Sequence, residues 1–184
     1  MSLILGYANR NSAIIMSDGR AGKNGSYSEH YNKTLKINDN IIIGFAGYVE
    51  SIEYFLNGVF LNMGEERNKY YVDDFFELMQ FGMDVEETQK HLHSSFIIIG
   101  RDSSNIMHTA IIGDSTLYKL ESNIVTTPRI LTIGGSIDGS IIHQIYRTNL
   151  KDETHSLEER LVNTIAQVSR LDNTINSNVY KVTL

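Results

Sequence analysis

The chain has 184 residues, 41% of them hydrophobic and 21% charged, the balance of a globular protein with a sizeable core. Its formal net charge of -6 argues against general nucleic-acid binding, which draws on a basic stripe, and no apolar run reaches the length of a membrane span. Cysteine is absent, which excludes disulfides, thiol chemistry and cysteine-based zinc sites; with no secretory leader at the N-terminus, a cytoplasmic protein is expected.

In chain order, Leu3 to Tyr7 and Ala13 to Met16 read as strands around the polar connection Asn9-Arg10-Asn11-Ser12. After Ser17-Asp18-Gly19 a polar loop runs to Asn32. Thr34 to Ile37 and Ile41 to Ile43 then form a second hairpin around Asn38-Asp39-Asn40. At Gly44-Phe45-Ala46-Gly47 the period changes: Val49, Ile52, Phe55, Leu56, Val59 and Phe60 recur at helical spacing over about residues 48 to 63. A second helix carries Val72, Phe75, Phe76 and Met79. Strands return at Phe96 to Gly100, Ile106 to Ile112, Leu117 to Leu120 and Ile130 to Ile133. Two more helices follow, one marked by Ile141, Ile142, Ile145 and Tyr146. The other opens with Ser156 three residues before Glu159, a capping box, and carries Leu157, Leu161, Ile165 and Val168. Val179 to Thr183 is a last strand. Separate blocks of hairpin-linked strands, alternating with helix pairs, predict an α+β protein. The expected solution is a four-layer αββα sandwich, two antiparallel sheets flanked by helix pairs, as one domain over residues 1–184.

The N-terminus carries the chemical signal. A serine directly after the initiator methionine is commonplace, but a freed Ser2 would hold an α-amino group of pKa about 7.7–8.0 beside its hydroxyl, so one residue could supply nucleophile and base. Ser2-Leu3-Ile4-Leu5-Gly6, followed by Ile14-Ile15-Met16-Ser17-Asp18-Gly19-Arg20-Ala21, resembles the opening of proteasome β-subunits and of the bacterial proteasome-like peptidase. Lys33-Thr34-Leu35-Lys36-Ile37 and Ile42-Ile43-Gly44-Phe45-Ala46-Gly47 resemble that family's lysine strand and the small-residue turn before its first helix. The order of elements matches to the last strand. The resemblance implies an N-terminal-nucleophile (Ntn) hydrolase with Ser2 as nucleophile after Met1 removal, Lys33 lowering the hydroxyl's pKa, Asp18 pairing with Lys33, and Gly47 N–H forming the oxyanion hole. It further implies substrate lying as an extended strand near Ala21-Gly22 and Gly47-Tyr48-Val49. Ala21, Tyr31, Phe45 and Val49 would line a mostly apolar, uncharged pocket for the residue before the cut.

Two departures accompany these matches. Where the family has a serine near the nucleophile's amine, strict register places Gly135, with Ser136 one residue late. Asp172 matches a C-terminal aspartate, but Ile175 stands where a serine or glycine usually follows. The resemblance therefore implies a peptidase subunit acting on peptides or unfolded proteins. Such a subunit sits in a homo-oligomeric ring, single or stacked in pairs, served by a separate ATPase. An inactive ring or scaffold protein of the same fold is the alternative, and an amidase acting on small amides ranks third. No metal or cofactor is implied. His91 and His93 are two apart and would diverge on a helix. His30, His108, His143 and His155 show no ligand spacing. The stretch Gly134 to Gly139 lacks both the Rossmann glycine spacing and the lysine of a P-loop, and reads as a packing turn. The competing reading of Lys33 is a strand-end lysine directed to solvent, and that of Asp18-Gly19 a turn dipeptide.

Overall fold

Runs of consecutive large apolar residues, rather than strict apolar–polar alternation, mark the central strands, because both faces of each sheet are covered. The computed structural model describes residues 2–23, 26–84, 93–112 and 122–184. One sheet orders β10 (Arg129–Gly134), β1 (Leu3–Ala8), β2 (Ala13–Asp18) and β11 (Val179–Thr183). The other orders β5 (Thr34–Asn38), β6 (Ile41–Gly47), β7 (Ser94–Arg101), β8 (Met107–Ile112) and the two-residue β9 (Asn123–Ile124). Every pairing in both sheets is antiparallel.

The two-residue period of the strands sorts side chains into layers. Ile4 and Ile15 of the first sheet meet Ile42, Ile97 and Ile99 of the second, forming the central layer. On the outer face of the second sheet, Ile41, Ile43, Phe45, Phe96 and Ile98 receive Ile52, Phe55, Leu56 and Val59 of α1 (Val49–Met63). The same face receives Val72, Phe75 and Met79 of α2 (Val72–Met83). On the outer face of the first sheet, Leu3, Leu5, Ile14 and Met16 pack against Ile142 and Tyr146 of α3 (Gly139–Leu150). Leu161, Ile165 and Val168 of α4 (Leu157–Leu171) complete that layer. The expected four-layer αββα sandwich is therefore present.

Most elements that periodicity identified recur within a residue or two of the expected bounds, but β6 runs on through Gly44 to Gly47, four residues past the expected Ile41 to Ile43. The Ser156–Glu159 capping box forms as expected: Glu159 N–H donates to Ser156 Oγ at 3.2 Å, and Ser156 N–H donates to Glu159 Oε2 at 2.7 Å. Three differences stand out. The polar loop after Gly19 contains a short hairpin, β3 (Ala21–Lys23) with β4 (Ser26–Ser28). A 3-10 helix (Gly64–Lys69) joins α1 to α2. Ile141, read as part of the buried stripe of α3, is 43% exposed. The expected strand Leu117 to Leu120, His91 and Met1 lie outside the described residues.

Candidate active site

The pairing of β11 against β2, with Val179 opposite Asp18, brings the α4–β11 loop to the end of β2, where β1 also starts. Asp18 closes β2 and is fully buried, and its two carboxylate oxygens do separate work. Oδ2 accepts the Arg20 N–H at 3.0 Å and the Asn176 N–H at 3.4 Å, holding the turn. Oδ1 accepts the Leu3 N–H at 2.8 Å and the Lys33 ammonium at 2.6 Å. Asp18-Gly19 is thus both the expected turn and part of the cluster.

Lys33 is 2% exposed, so the solvent-directed reading fails. Its carbonyl accepts the Phe45 N–H at 3.1 Å, anchoring the entry of β5 to β6 while the side chain runs inward. Burial pushes the Lys33 pKa below its ordinary value, the Asp18 carboxylate opposes that fall, and the charge of Arg20 adds to it. Isolating a cation and an anion from water costs several kcal/mol per ion, so such a pair marks a candidate functional site.

Ser2 is buried beside this pair. Its carbonyl accepts the Gly135 N–H at 2.7 Å, and Leu3 lies opposite Gly134 in the β1–β10 register. Gly134 and Gly135 both have left-handed φ, +87° and +83°. A Cβ on Gly135 would come within 2.7 Å of Ile142 Cδ1, so a glycine stands where the resemblance called for a serine. Ser136 donates its backbone N–H to Asp172, and Asp172 also receives the Thr174 N–H at 2.9 Å and the Thr174 hydroxyl at 2.6 Å. Burial works to raise the Asp172 pKa, but the bonds from Thr174 and Ser136 outweigh it and hold the carboxyl below its ordinary value. Ile175, the second departure, is an apolar core residue at 3% exposure, and the hydroxyl of the neighbouring Thr174 is spent on Asp172.

Gly47 ends β6 with φ +137°, and a Cβ there would fall 2.4 Å from the His93 carbonyl oxygen. The Gly134 Cβ position is 3.6 Å from Ala46 Cβ, which joins the end of β6 to the Ser2 corner. The structure therefore brings together Ser2, Asp18, Lys33, Gly134 to Ser136 and Asp172, with Gly47 one residue beyond.

A proteasome subunit family model matches residues 2–122. The chain belongs to the proteasome subunit family. Among solved structures, eukaryotic HslV from Trypanosoma brucei is similar at 17% identity and TM-score 0.74, over 99% of this chain and 98% of that one. A Gly-1 mutant of Anbu from Hyphomicrobium sp. strain MC1 is similar at 10% identity and TM-score 0.73, over 100% of this chain and 81% of that one. At these identities the likeness is one of fold. No curated protein matches the sequence.

On this proteasome-family frame, Ala21, Phe45 and Val49 are buried and Tyr31 is half-buried, while Gly22 is exposed on β3. The Tyr31 hydroxyl donates to Glu53 Oε1 at 2.9 Å; burial, then this carboxylate, raise the tyrosine's pKa. Glu53 of α1 thus places a carboxylate behind the Tyr31 hydroxyl. Away from this site, Asp73, Asp102 and His108 bring ligand atoms within 4.8 Å of one another. Asp102 is already engaged by the Ser104 and Ile106 N–H groups and by His108 Nε2 at 2.9 Å. Metal ligation through Nε2 would leave a proton on the buried Nδ1, which has no hydrogen-bond partner among the described residues. The cluster reads as a lock on the β7–β8 hairpin.

Proposed function

We propose that the chain is a peptidase subunit cleaving peptide bonds by acyl transfer through Ser2, which becomes N-terminal on removal of Met1. The observation that carries this reading is the buried Lys33–Asp18 pair, whose shared oxygen also accepts the N–H of Leu3, the residue after the nucleophile. The freed α-amino group takes the proton of the Ser2 hydroxyl, and the Lys33 ammonium supports the alkoxide that forms. The oxygen attacks the scissile carbonyl, and the Gly47 N–H stabilises the tetrahedral oxyanion. Collapse breaks the C–N bond as the α-ammonium returns its proton to the leaving amine. Water, deprotonated by the same amine, then hydrolyses the acyl ester and regenerates Ser2. The Gly135 N–H holds the Ser2 carbonyl, and the bond from the Ser136 N–H to Asp172 braces the turn that carries Gly135. No cofactor enters these steps.

Substrate would add as an extended strand between the β3 segment at Ala21-Gly22 and Gly47 to Val49. The residue before the cut faces Ala21, Tyr31, Phe45 and Val49, with Glu53 beyond Tyr31. That lining disfavours an acidic residue at this position, so fluorogenic peptides ending in a neutral or basic residue should outrank acidic ones. Family membership supports a cytoplasmic ring that encloses the sites and receives unfolded protein from a separate ATPase.

The test is intact mass before and after incubation with a peptide epoxyketone, which closes a ring with both the hydroxyl and the amine of an N-terminal nucleophile. Loss of Met1 with one adduct, abolished in Ser2→Ala, is the expected result. Retained Met1 without an adduct would overturn the reading in favour of an inactive ring protein.

A further inference from the structure

Asn176 lies in the loop between α4 and β11 and joins three segments around the Asp18 turn. Its Oδ1 accepts the Gly19 N–H at 2.8 Å, and its Nδ2 donates to the Glu29 carbonyl at 2.9 Å and to Glu29 Oε2 at 2.7 Å. Its own N–H reaches Asp18 Oδ2 at 3.4 Å. The Glu29 carboxylate in turn accepts Arg20 Nε at 2.9 and 3.2 Å, and the Arg20 guanidinium donates to the Asn173 carbonyl. The turn 18–20, the Glu29 segment and the loop 173–176 thus close into one hydrogen-bonded ring. A side-chain amide suits its centre, since it carries an acceptor and two donors on one plane.

We propose that Asn176 is a positioning residue that fixes the Asp18-Gly19-Arg20 turn, so that Asp18 presents Oδ1 to Lys33 and to the Leu3 N–H. Asp18 is a strand-terminal residue, and the turn after it is held from outside by this loop. Releasing the turn frees the carboxylate to rotate, and Lys33 then loses the anion that supports its charge against burial. Among the described residues, Asp18 and Arg20 are the charged side chains that act on Lys33, to which the freed Ser2 amine adds a third group. The consequence for turnover rests on the Ser2 peptidase reading; the consequence for the Asp18–Lys33 geometry does not.

Asn178 provides the control, because it donates to the same Glu29 carbonyl at 2.8 Å without a hydrogen bond to Gly19 or Asp18. The experiment takes the assembled protein as wild type, Asn176→Ala and Asn178→Ala. It determines each crystal structure and measures kcat, KM and the pH profile on a fluorogenic peptide. Asn176→Ala should carry the Lys33–Asp18 separation past the ~4 Å limit of an ion pair. It should lower kcat about tenfold (~1.4 kcal/mol in barrier) with little change in KM, and move the alkaline limb to lower pH as Lys33 deprotonates earlier. Asn178→Ala should do none of this. Asn176→Asp keeps the acceptor for Gly19 but loses the donor to Glu29, and should lengthen the Lys33–Asp18 separation and lower kcat in the same way if the alanine variant does not fold. An intact 2.6 Å Lys33–Asp18 contact in both Asn176 variants, or equal changes in the Asn176 and Asn178 variants, would overturn the proposal. A wild type without turnover or epoxyketone adduct sinks the Ser2 reading instead, and the Lys33–Asp18 separation alone then decides.

Discussion

Asp18 is the residue on which the local architecture turns. Four donors converge on its carboxylate, two from the turn and the loop that braces it and two from Leu3 and Lys33. Removing one partner of a buried ion pair leaves the other charge uncompensated, at about 3–5 kcal/mol. Asp18→Asn should therefore lower the urea midpoint as well as abolish activity, whereas Lys33→Met leaves the Asp18 carboxylate with its three backbone N–H donors from Leu3, Arg20 and Asn176 and should abolish activity with a smaller loss of stability. Gly135→Ser would place a side chain at φ +83° against Ile142. Strain of about 1–2 kcal/mol from the left-handed backbone alone should lower its melting temperature without any gain in turnover. Asp172 has a folded-state pKa below its ordinary 3.8, so its contribution is fully present above that value and is lost as pH falls below it. Urea titrations at neutral pH and about pH 3 should show a smaller acid-induced loss in Asp172→Asn than in wild type.

At the scale of elements, helix ends and strand pairings decide which loops meet. The capping box at Ser156 and Glu159 fixes the start of α4, and Ser156→Ala should cost about 1 kcal/mol, read as a small fall in melting temperature with activity kept. Inside the same layer, the Tyr146 hydroxyl, fully buried, donates to the Gly6 carbonyl of β1 at 2.8 Å. That bond ties α3 to the strand that follows Ser2. The antiparallel pairing of β11 with β2 has the larger consequence, since it delivers residues 172–178 to the Asp18 turn, more than 150 positions away in sequence for the Asn176 contact to Gly19.

Across the whole molecule, two sheets with both faces covered leave the catalytic candidates at one end of the central layer, where β1, β2, β5 and β6 converge. Phe75 of α2 and Ile97 of β7 lie in different layers and are fully buried. Phe75→Ala should cost about 3–5 kcal/mol by opening a cavity under α2. The fall in melting temperature checks it, and the Lys33–Asp18 contact should survive because that contact is made from the other strands. The outer surface between α1 and α2 carries exposed Tyr54, Leu61 and Phe81, but no described residue covers it. Among the described residues no helix is long and apolar enough to cross a membrane.

Local pattern was sufficient for most of the architecture. The isoleucine-rich runs at 41–43 and 97–99, the helical spacing from Val49 and the Ser156–Glu159 box each act over a few residues, so these elements and, through their order, the four layers were legible in the chain alone. It also singled out Ser2, Asp18, Lys33 and Gly47 by family resemblance. Direction and partnership were a different matter. Whether Lys33 points to solvent or inward depends on what β2 places opposite it, and only packing answers that. Glu53 beside Tyr31, Asn176 around Gly19, and the glycine demanded at position 135 by its backbone angle involve groups far apart in the chain or a φ that composition does not encode. These contacts arise from sheet register and from the turn at the end of β2, so the tertiary structure alone decided them.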